Sequence, residues 1–241
     1  YGIAVAHGHV EPDFPYISMC HSSHSAIKAP ERCVFAQFVN IGAFMMAANV
    51  YIRYKQMTEV LNLLSATKGD KRVNKLSLGI GFVSAFGLTV VANFQTVDMR
   101  AAHYTGATLA FALGSVYCWM QTSLSIRHTR WTCVAISQLV NSIALTVCLI
   151  VFAVSKTVYK LYENTGHGTK FDALRAVYLI STVSEWLTAA SIVTFVLTFY
   201  RDFSNVWLKS PSVRIINHDA VLKVFRSPVS GAVRQNDPVN L

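Results

Sequence analysis

Cys33-Val34-Phe35-Ala36-Gln37-Phe38-Val39-Asn40-Ile41-Gly42-Ala43-Phe44-Met45-Met46-Ala47-Ala48-Asn49-Val50-Tyr51-Ile52 runs for twenty residues without a charge. A helix rises about 1.5 Å per residue, so some 20 apolar residues cross a hydrocarbon core of about 30 Å. The stretch is apolar all round, with no polar face to turn toward water, and a helix of that kind belongs in lipid. Four more segments read the same way: 76–94, 101–124, 131–154 and 177–199. Their interiors carry almost no charge, the exceptions being His103 and Glu185. The reading is an all-α, polytopic transmembrane helical bundle over 1–203, with spans at 33–52, 76–94, 101–124, 131–154 and 177–199, then a flexible tail over 204–241.

Composition agrees. Of 241 residues, 53% are hydrophobic and 14% are charged, and the mean hydropathy is +0.39. A soluble domain carries about a quarter charged residues. The net charge of +9 resides in the connections and the tail, where it suits anionic headgroups. No basic face or nucleic-acid module can be assembled from it, so nucleic acid is not an expected partner.

Lys and Arg counts orient the bundle. Fourteen fall in the connection after the first span, the link 125–130 and the tail; seven fall in the segments between. The richer side is expected to be cytosolic, with the C-terminus inside and 1–32 lumenal. The basic connection holds Arg53, Lys55, Lys71, Arg72 and Lys75, the expected contacts for anionic lipid. The chain starts at Tyr1, and the apolar Tyr1–Ala6 reads as the end of a helix begun earlier, which makes six spans in the intact protein.

Chemistry-bearing residues are few. Glu185 is a carboxylate inside a span, which is costly and usually faces the bundle interior. Its helical neighbours Ser181, Thr182, Thr188 and Ala189 are small or polar, as an interior face requires. Asn93 and Gln95 end the second span and His103 opens the third, so these three and Glu185 are expected to meet in one polar pocket near the lumenal face. Such a cluster is either a binding or proton-sensing site or, as the default, a hydrogen-bonded packing cluster. Cys20 and Cys33 both fall on the lumenal side, placed to close a small disulfide loop. Cys20, His21 and His24 lack a second rigid ligand pair, so no metal is expected. Gly106, Ala110 and Gly114, and Gly81 with Ala85, form small-residue stripes suited to helix packing in lipid. Tyr54-Lys55-Gln56-Met57 and Tyr200-Arg201-Asp202-Phe203 weakly fit a tyrosine-based sorting pattern. The sequence contains no catalytic triad, nucleophile elbow, phosphate loop or CxxC pair, and neither an enzyme nor a cofactor is expected.

Several motifs in order resemble the damage-regulated autophagy modulator (DRAM) family. They are Gly8-His9-Val10 with Pro12, Pro15-Tyr16-Ile17-Ser18, Pro30-Glu31, Tyr51 with Arg53-Tyr54-Lys55, and Gly87-Leu88. Val91-Ala92-Asn93-Phe94-Gln95, His103 with Gly106-Ala107, and Gln121-Thr122 with Leu124-Ser125 follow. Glu185-Trp186, Leu197-Thr198-Phe199 and Arg201-Asp202-Phe203 complete the series. Met19-Cys20-His21 departs from the family's short Asp-Thr-Gly turn, which makes the lumenal loop less transferable. The resemblance implies six transmembrane helices, residence in lysosomal or endosomal membrane and a positive role in autophagy. Its implied partners are membrane lipids and proteins of the autophagy machinery, and it carries over no catalytic residues. More distant relatives that look similar in outline include plasma-membrane adapters for a phosphatidylinositol 4-kinase. Two alternatives therefore stand beside the regulator: an adapter tuning phosphoinositide synthesis, and a membrane-embedded lipid enzyme or transporter using His103 and Glu185.

Overall fold

A computed structural model describes residues 5–6, 13–17, 29–94, 96, 99–129, 132–204 and 206–207, without the side chains of 29–32 and 129. Its elements are α1 (Ala29–Leu63), α2 (Lys68–Asn93), α3 (Arg100–Thr108), a π-helical turn (Leu109–Leu113), α4 (Gly114–Thr129), α5 (Cys133–Asn164), α6 (Arg175–Leu197) and the short α7 (Tyr200–Phe203). Five helical stretches are long and apolar enough to cross a membrane: Cys33–Leu63, Lys68–Asn93, Arg100–His128, Cys133–Asn164 and Arg175–Phe203. The predicted all-α multispan bundle is the fold observed. Two compact units divide the chain at Val206, and of the second, Trp207–Leu241, only Trp207 is described.

The bundle packs inside out relative to a soluble protein. On α2 the buried residues are Asp70, Asn74, Ser77, Gly81, Ser84, Ala85, Gly87 and Ala92, small or polar and spaced to one face. Leu76, Phe82, Val83 and Phe86 on the same helix point outward and are exposed. On α6 Ser181, Thr182 and Thr188 are fully buried while Ile180, Val193 and Leu197 are exposed. Lipid tails are as apolar as leucine, so helices in a bilayer gain by close backbone approach and interhelical hydrogen bonds rather than by hiding oil. α1 packs along α2 and α5 along α6, while α3, the π turn and α4 lie between the two pairs.

Close approach is tightest where α2 meets the π turn. A Cβ on Gly87 would lie 2.6 Å from the Ala110 nitrogen and 2.7 Å from the Gly106 carbonyl oxygen. Ser84 Oγ donates to the Ala110 carbonyl at 2.9 Å. A π turn loosens the regular i→i−4 ladder, and here a serine from the neighbouring helix bonds a carbonyl within it. The small-residue stripes are thus used as packing surfaces.

The helices overrun the apolar segments. α1 continues eleven residues past Ile52 and α2 starts eight before Leu76, so the connection expected to be a basic loop is a helical hairpin with its turn at 64–67. Thr67 caps α2 by accepting from Asp70 N at 3.2 Å, and its hydroxyl donates to Asp70 Oδ2 at 2.8 Å. α5 likewise runs to Asn164, ten residues past the expected end of its span. The turn that follows uses Gly166 (φ 76°) and Gly168 (φ 131°), left-handed positions that glycine adopts without a Cβ clash. Asp172 then accepts from the amides of Thr169 and Ala173 as the chain enters α6.

Candidate functional site: a strap clamped at a buried glutamate

Glu185 is buried, 4% exposed, and its neighbours Ser181, Thr182 and Thr188 are buried with it. The helical spacing thus puts the carboxylate on the interior face, as the sequence implies. Its partner comes from far away in the chain. The backbone N–H of Ile17 donates to Glu185 Oε2 at 2.6 Å. A bond from a neutral donor to a charged acceptor is short and roughly twice as strong as a neutral pair.

Residues 13–17 form a strap across the α5–α6 pair. At its start, Asp13 Oδ1 accepts from Arg175 at 2.8 Å, with Lys170 Nζ 3.8 Å from Oδ2. The Arg175 hydrogen bond holds the Asp13 carboxyl below the usual carboxylate range, against a smaller opposing effect of burial. The Pro15 carbonyl accepts from Trp186 Nε1 at 3.1 Å, and the Phe14 ring lies 6.2 Å from the Trp186 ring. Tyr16 is buried, 1% exposed, with its ring edge-on to Tyr178 at 5.3 Å and to Phe152 at 6.4 Å. Tyr159 closes the aromatic group, 5.4 Å from Tyr178. Burial pushes the Tyr16 phenol up to about 12, so it stays neutral.

Beneath Tyr16 sits Lys156. Its ammonium lies 4.4 Å from the Tyr16 ring centroid, 4.9 Å from that of Phe152 and 5.7 Å from that of Tyr104. A cation over aromatic faces is held by their quadrupoles, and more strongly where water is excluded. Lys156 is also the charge that acts on Glu185 and on His103. The strap therefore lies over a buried acid, Glu185, and a nearby base, Lys156, that act on each other without a direct ion pair among the described residues.

The expected four-residue pocket does not assemble in that form. Gln95 lies outside the described residues. Asn93 is exposed and turned to α1, exchanging amide hydrogen bonds with Asn40 at 3.1 and 3.3 Å and donating to the Thr89 carbonyl at 2.8 Å. His103 is buried, with Nδ1 2.7 Å from the Phe94 carbonyl that ends α2. A carbonyl only accepts, so Nδ1 carries the proton, and the ring serves as a cap joining α2 to α3. Among the described residues no hydrogen bond joins His103 to Glu185, and Lys156 is a charge that acts on both.

The expected lipid contacts divide. Lys55, Lys71, Arg72 and Lys75 are exposed on the α1–α2 hairpin. Arg53 does not belong with them, a correction imposed by its burial to 3% exposure. Its guanidinium pairs with Asp202 at 2.7 Å and donates to Gln121 at 3.2 Å, Gln56 at 2.9 Å and Ser125 at 2.9 Å, over the Phe199 ring at 4.6 Å. A planar five-donor fork suits such a site, and it welds α1 to α4 and α7. Both tyrosine quartets are helical, with Met57 buried and Asp202 in the ion pair, so neither is a free linear segment. Cys33 is exposed, and Cys20, its expected disulfide partner, lies outside the described residues. Among the described residues no group of three His, Cys, Asp or Glu is placed to hold a metal ion.

Sequence reasoning missed Tyr16 and Lys156. Tyr16 stood in one of the quoted motifs, but nothing local says that it docks 162 positions away on Tyr178. Lys156 reads as a connection residue because the apolar run ends at Val154, although the helix, and with it the bundle interior, continues.

Comparison with known proteins places this arrangement. The model of the Frag1/DRAM/Sfk1/Cwh43P N-terminal domain matches residues 1–206. The chain is 33% identical to human DNA damage-regulated autophagy modulator protein 2 over 87% of its own length and 79% of that protein. It is 31% identical to human DNA damage-regulated autophagy modulator protein 1, over 87% of this chain and 85% of the relative. The Xenopus laevis modulator of macroautophagy TMEM150B-A is 34% identical over 64% of each chain. No solved structure matches. The matched residues take in the strap, Lys156 and Glu185 together, and the chain belongs to the Frag1/DRAM/Sfk1/Cwh43P family.

Proposed function

We propose that this protein is a non-enzymatic, multi-pass regulator that promotes autophagy at lysosomal or endosomal membranes. The names of its relatives as autophagy modulators support the process. The observation that carries the non-enzymatic reading is the Ile17 N–H to Glu185 bond at 2.6 Å. The intramembrane carboxylate is buried and engaged by the chain's own backbone, and His103 is engaged at Phe94. Groups so committed serve structure and conformational control better than turnover, which weighs against the lipid enzyme or transporter. In this reading the basic hairpin and the tail face the cytosol, where they meet membrane lipids and proteins of the autophagy machinery. The strap faces the lumen. The test is autophagic flux under starvation in cells lacking the protein, with the full-length chain localised against lysosomal and surface markers. Reduced flux with lysosomal residence is expected; unchanged flux refutes the reading.

One feature favours a second reading. Lys55, Lys71, Arg72 and Lys75 are all exposed on one hairpin, a basic surface of the kind that anionic leaflets attract. A plasma-membrane adapter regulating phosphoinositide synthesis would use it. Surface residence together with altered phosphatidylinositol 4-phosphate on loss of the protein would favour this reading over the first.

A further inference from the structure

At the basic end of the bundle, opposite the strap, a groove of about 340 Å³ opens where α5 begins and α6 gives way to α7. Its lining is Cys133, Val134 and Ser137 from α5, with Leu197, Thr198, Tyr200 and Arg201 from the other wall. We propose that this groove is a binding site for one anionic phospholipid of the adjoining leaflet, with its phosphate at Arg201.

Three observations lead there. The first is charge. Arg201 and Asp202 are neighbours in sequence but are turned to different tasks. Asp202 points inward to Arg53 at 2.7 Å, leaving Arg201 exposed on the groove wall, and among the described residues no carboxylate pairs with it. Arginine is the side chain best matched to a phosphate, since its planar fork offers parallel donors.

The second is that the groove is built rather than incidental. α7 is four residues long and would not hold a position alone. It is fixed by the buried Arg53 pair, by Gln56 Nε2 donating to the Asp202 carbonyl at 2.9 Å, and by Phe199, 1% exposed beneath the Arg53 guanidinium. Arg201 is carried on this locked turn, so the point from which its side chain reaches is fixed before any ligand arrives, which lowers the ordering cost of binding.

The third is polarity along the groove. Tyr200 and Arg201 stand at the bundle end, Val134 and Leu197 line the wall, and farther along the spans Ile136, Val140 and Val193 are exposed on the outer faces of α5 and α6. A ligand with a charged head and apolar tails fits that sequence of surfaces; a soluble phosphate would use only its end.

Cys133 supplies the readout, being an exposed thiol in the groove lining. The purified full chain is placed in nanodiscs of phosphatidylcholine alone or with phosphatidylserine, and the rate of N-ethylmaleimide labelling at Cys133 is followed by peptide-resolved mass spectrometry. Cys33, also exposed but near the start of α1 at the opposite end of the bundle, is the internal control for surface effects. One interfacial arginine contributes about a fivefold preference for an anionic lipid. Phosphatidylserine should therefore slow Cys133 labelling about fivefold relative to Cys33, and Arg201→Gln should abolish the difference while Arg201→Lys retains part of it. Ser137→Phe, which fills the groove with Arg201 intact, should also abolish it. Equal labelling in the two membranes, or an undiminished difference in Arg201→Gln, overturns the proposal. Equal protection of Cys133 by phosphatidylcholine would mean that any lipid fills the groove, and that also overturns it.

Discussion

Replacing Glu185 tests the strap directly, because one bond joins the strap's last described residue to the middle of α6. The Ile17 N–H donates to Glu185 Oε2 at 2.6 Å, and an ionised carboxylate makes this a charge-assisted hydrogen bond. Such bonds contribute about 1.5–3 kcal/mol where neutral ones contribute about 0.5–1.5. Glu185→Gln keeps an acceptor oxygen of the same reach and loses only the charge, so the strap should lose about 1 kcal/mol, which raises its opening about fivefold. Glu185→Ala removes the same charge and the acceptor with it, leaving the Ile17 amide without its partner. Its loss should be about 2 kcal/mol, or about thirtyfold in opening. Hydrogen exchange in nanodiscs reads this at the amides of Tyr16 and Ile17, with the interior amides of α6 as reference. The graded order wild type, Gln, Ala is the expected result. Equal protection in all three would mean that aromatic packing alone holds the strap, and the role assigned to Glu185 would be refuted.

Other perturbations follow from the same geometry. Tyr16→Ala empties a fully buried aromatic seat and should weaken strap docking by about 3 kcal/mol, seen as exposure of residues 13–17 to limited proteolysis while the spans stay intact. Asp202→Ala leaves the Arg53 guanidinium buried without its anion, a loss of about 3 kcal/mol, measurable as a lower unfolding temperature in detergent; Arg53→Lys should also be destabilised because an ammonium cannot reach Gln121, Gln56 and Ser125 together. Gly87→Ala puts a methyl 2.6 Å from backbone at the π turn, where no side chain can yield, and should cost about 3 kcal/mol or more. The Asp13 anchor has a definite pH window. Its folded carboxyl lies below the ordinary aspartate value of 3.8, so its contribution is complete above that value and fades only as pH falls below it. The protection factor at Phe14, with exchange corrected for its intrinsic pH dependence, should therefore be unchanged between pH 7 and 5, and Arg175→Gln should lower it at both.

How far the sequence could be read depends on whether the deciding interaction is local. The spans were legible because a charge-free run of twenty residues has one physical solution, whichever neighbours it meets. The inward turn of Glu185 was legible for a related reason: the helical period alone puts Ser181, Thr182 and Thr188 on its face. Helix ends were less legible, since hydropathy marks where lipid stops and not where backbone bonding stops. α1 and α5 both run on into polar sequence, where Thr67 and the Gly166–Gly168 turn decide the boundaries.

Arg53 and Lys156 mark where local reading fails, and for one reason. Each sits just past the end of an apolar run, and a cation in that position is expected to snorkel toward headgroups. Whether it does so depends on what the interior offers. Arg53 finds Asp202 at 2.7 Å and three further acceptors. Lys156 finds the ring of Tyr16 at 4.4 Å and the charge of Glu185. Both interior partners come from chain more than 100 residues away, Asp202 for one and Tyr16 for the other, and neither pairing has a sequence period. Yet each is diagnosable in reverse. An acid inside a span or at its rim needs a cation, and three buried or part-buried acids of the described bundle follow that rule: Glu185 has Lys156, Asp202 has Arg53, and Asp70 has Arg127 at 3.0 Å, each cation standing just past the end of a different apolar run. A multispan chain read with that rule would assign its rim cations to buried acids first, and only the remainder, here Lys55, Lys71, Arg72, Lys75 and Arg201, to lipid.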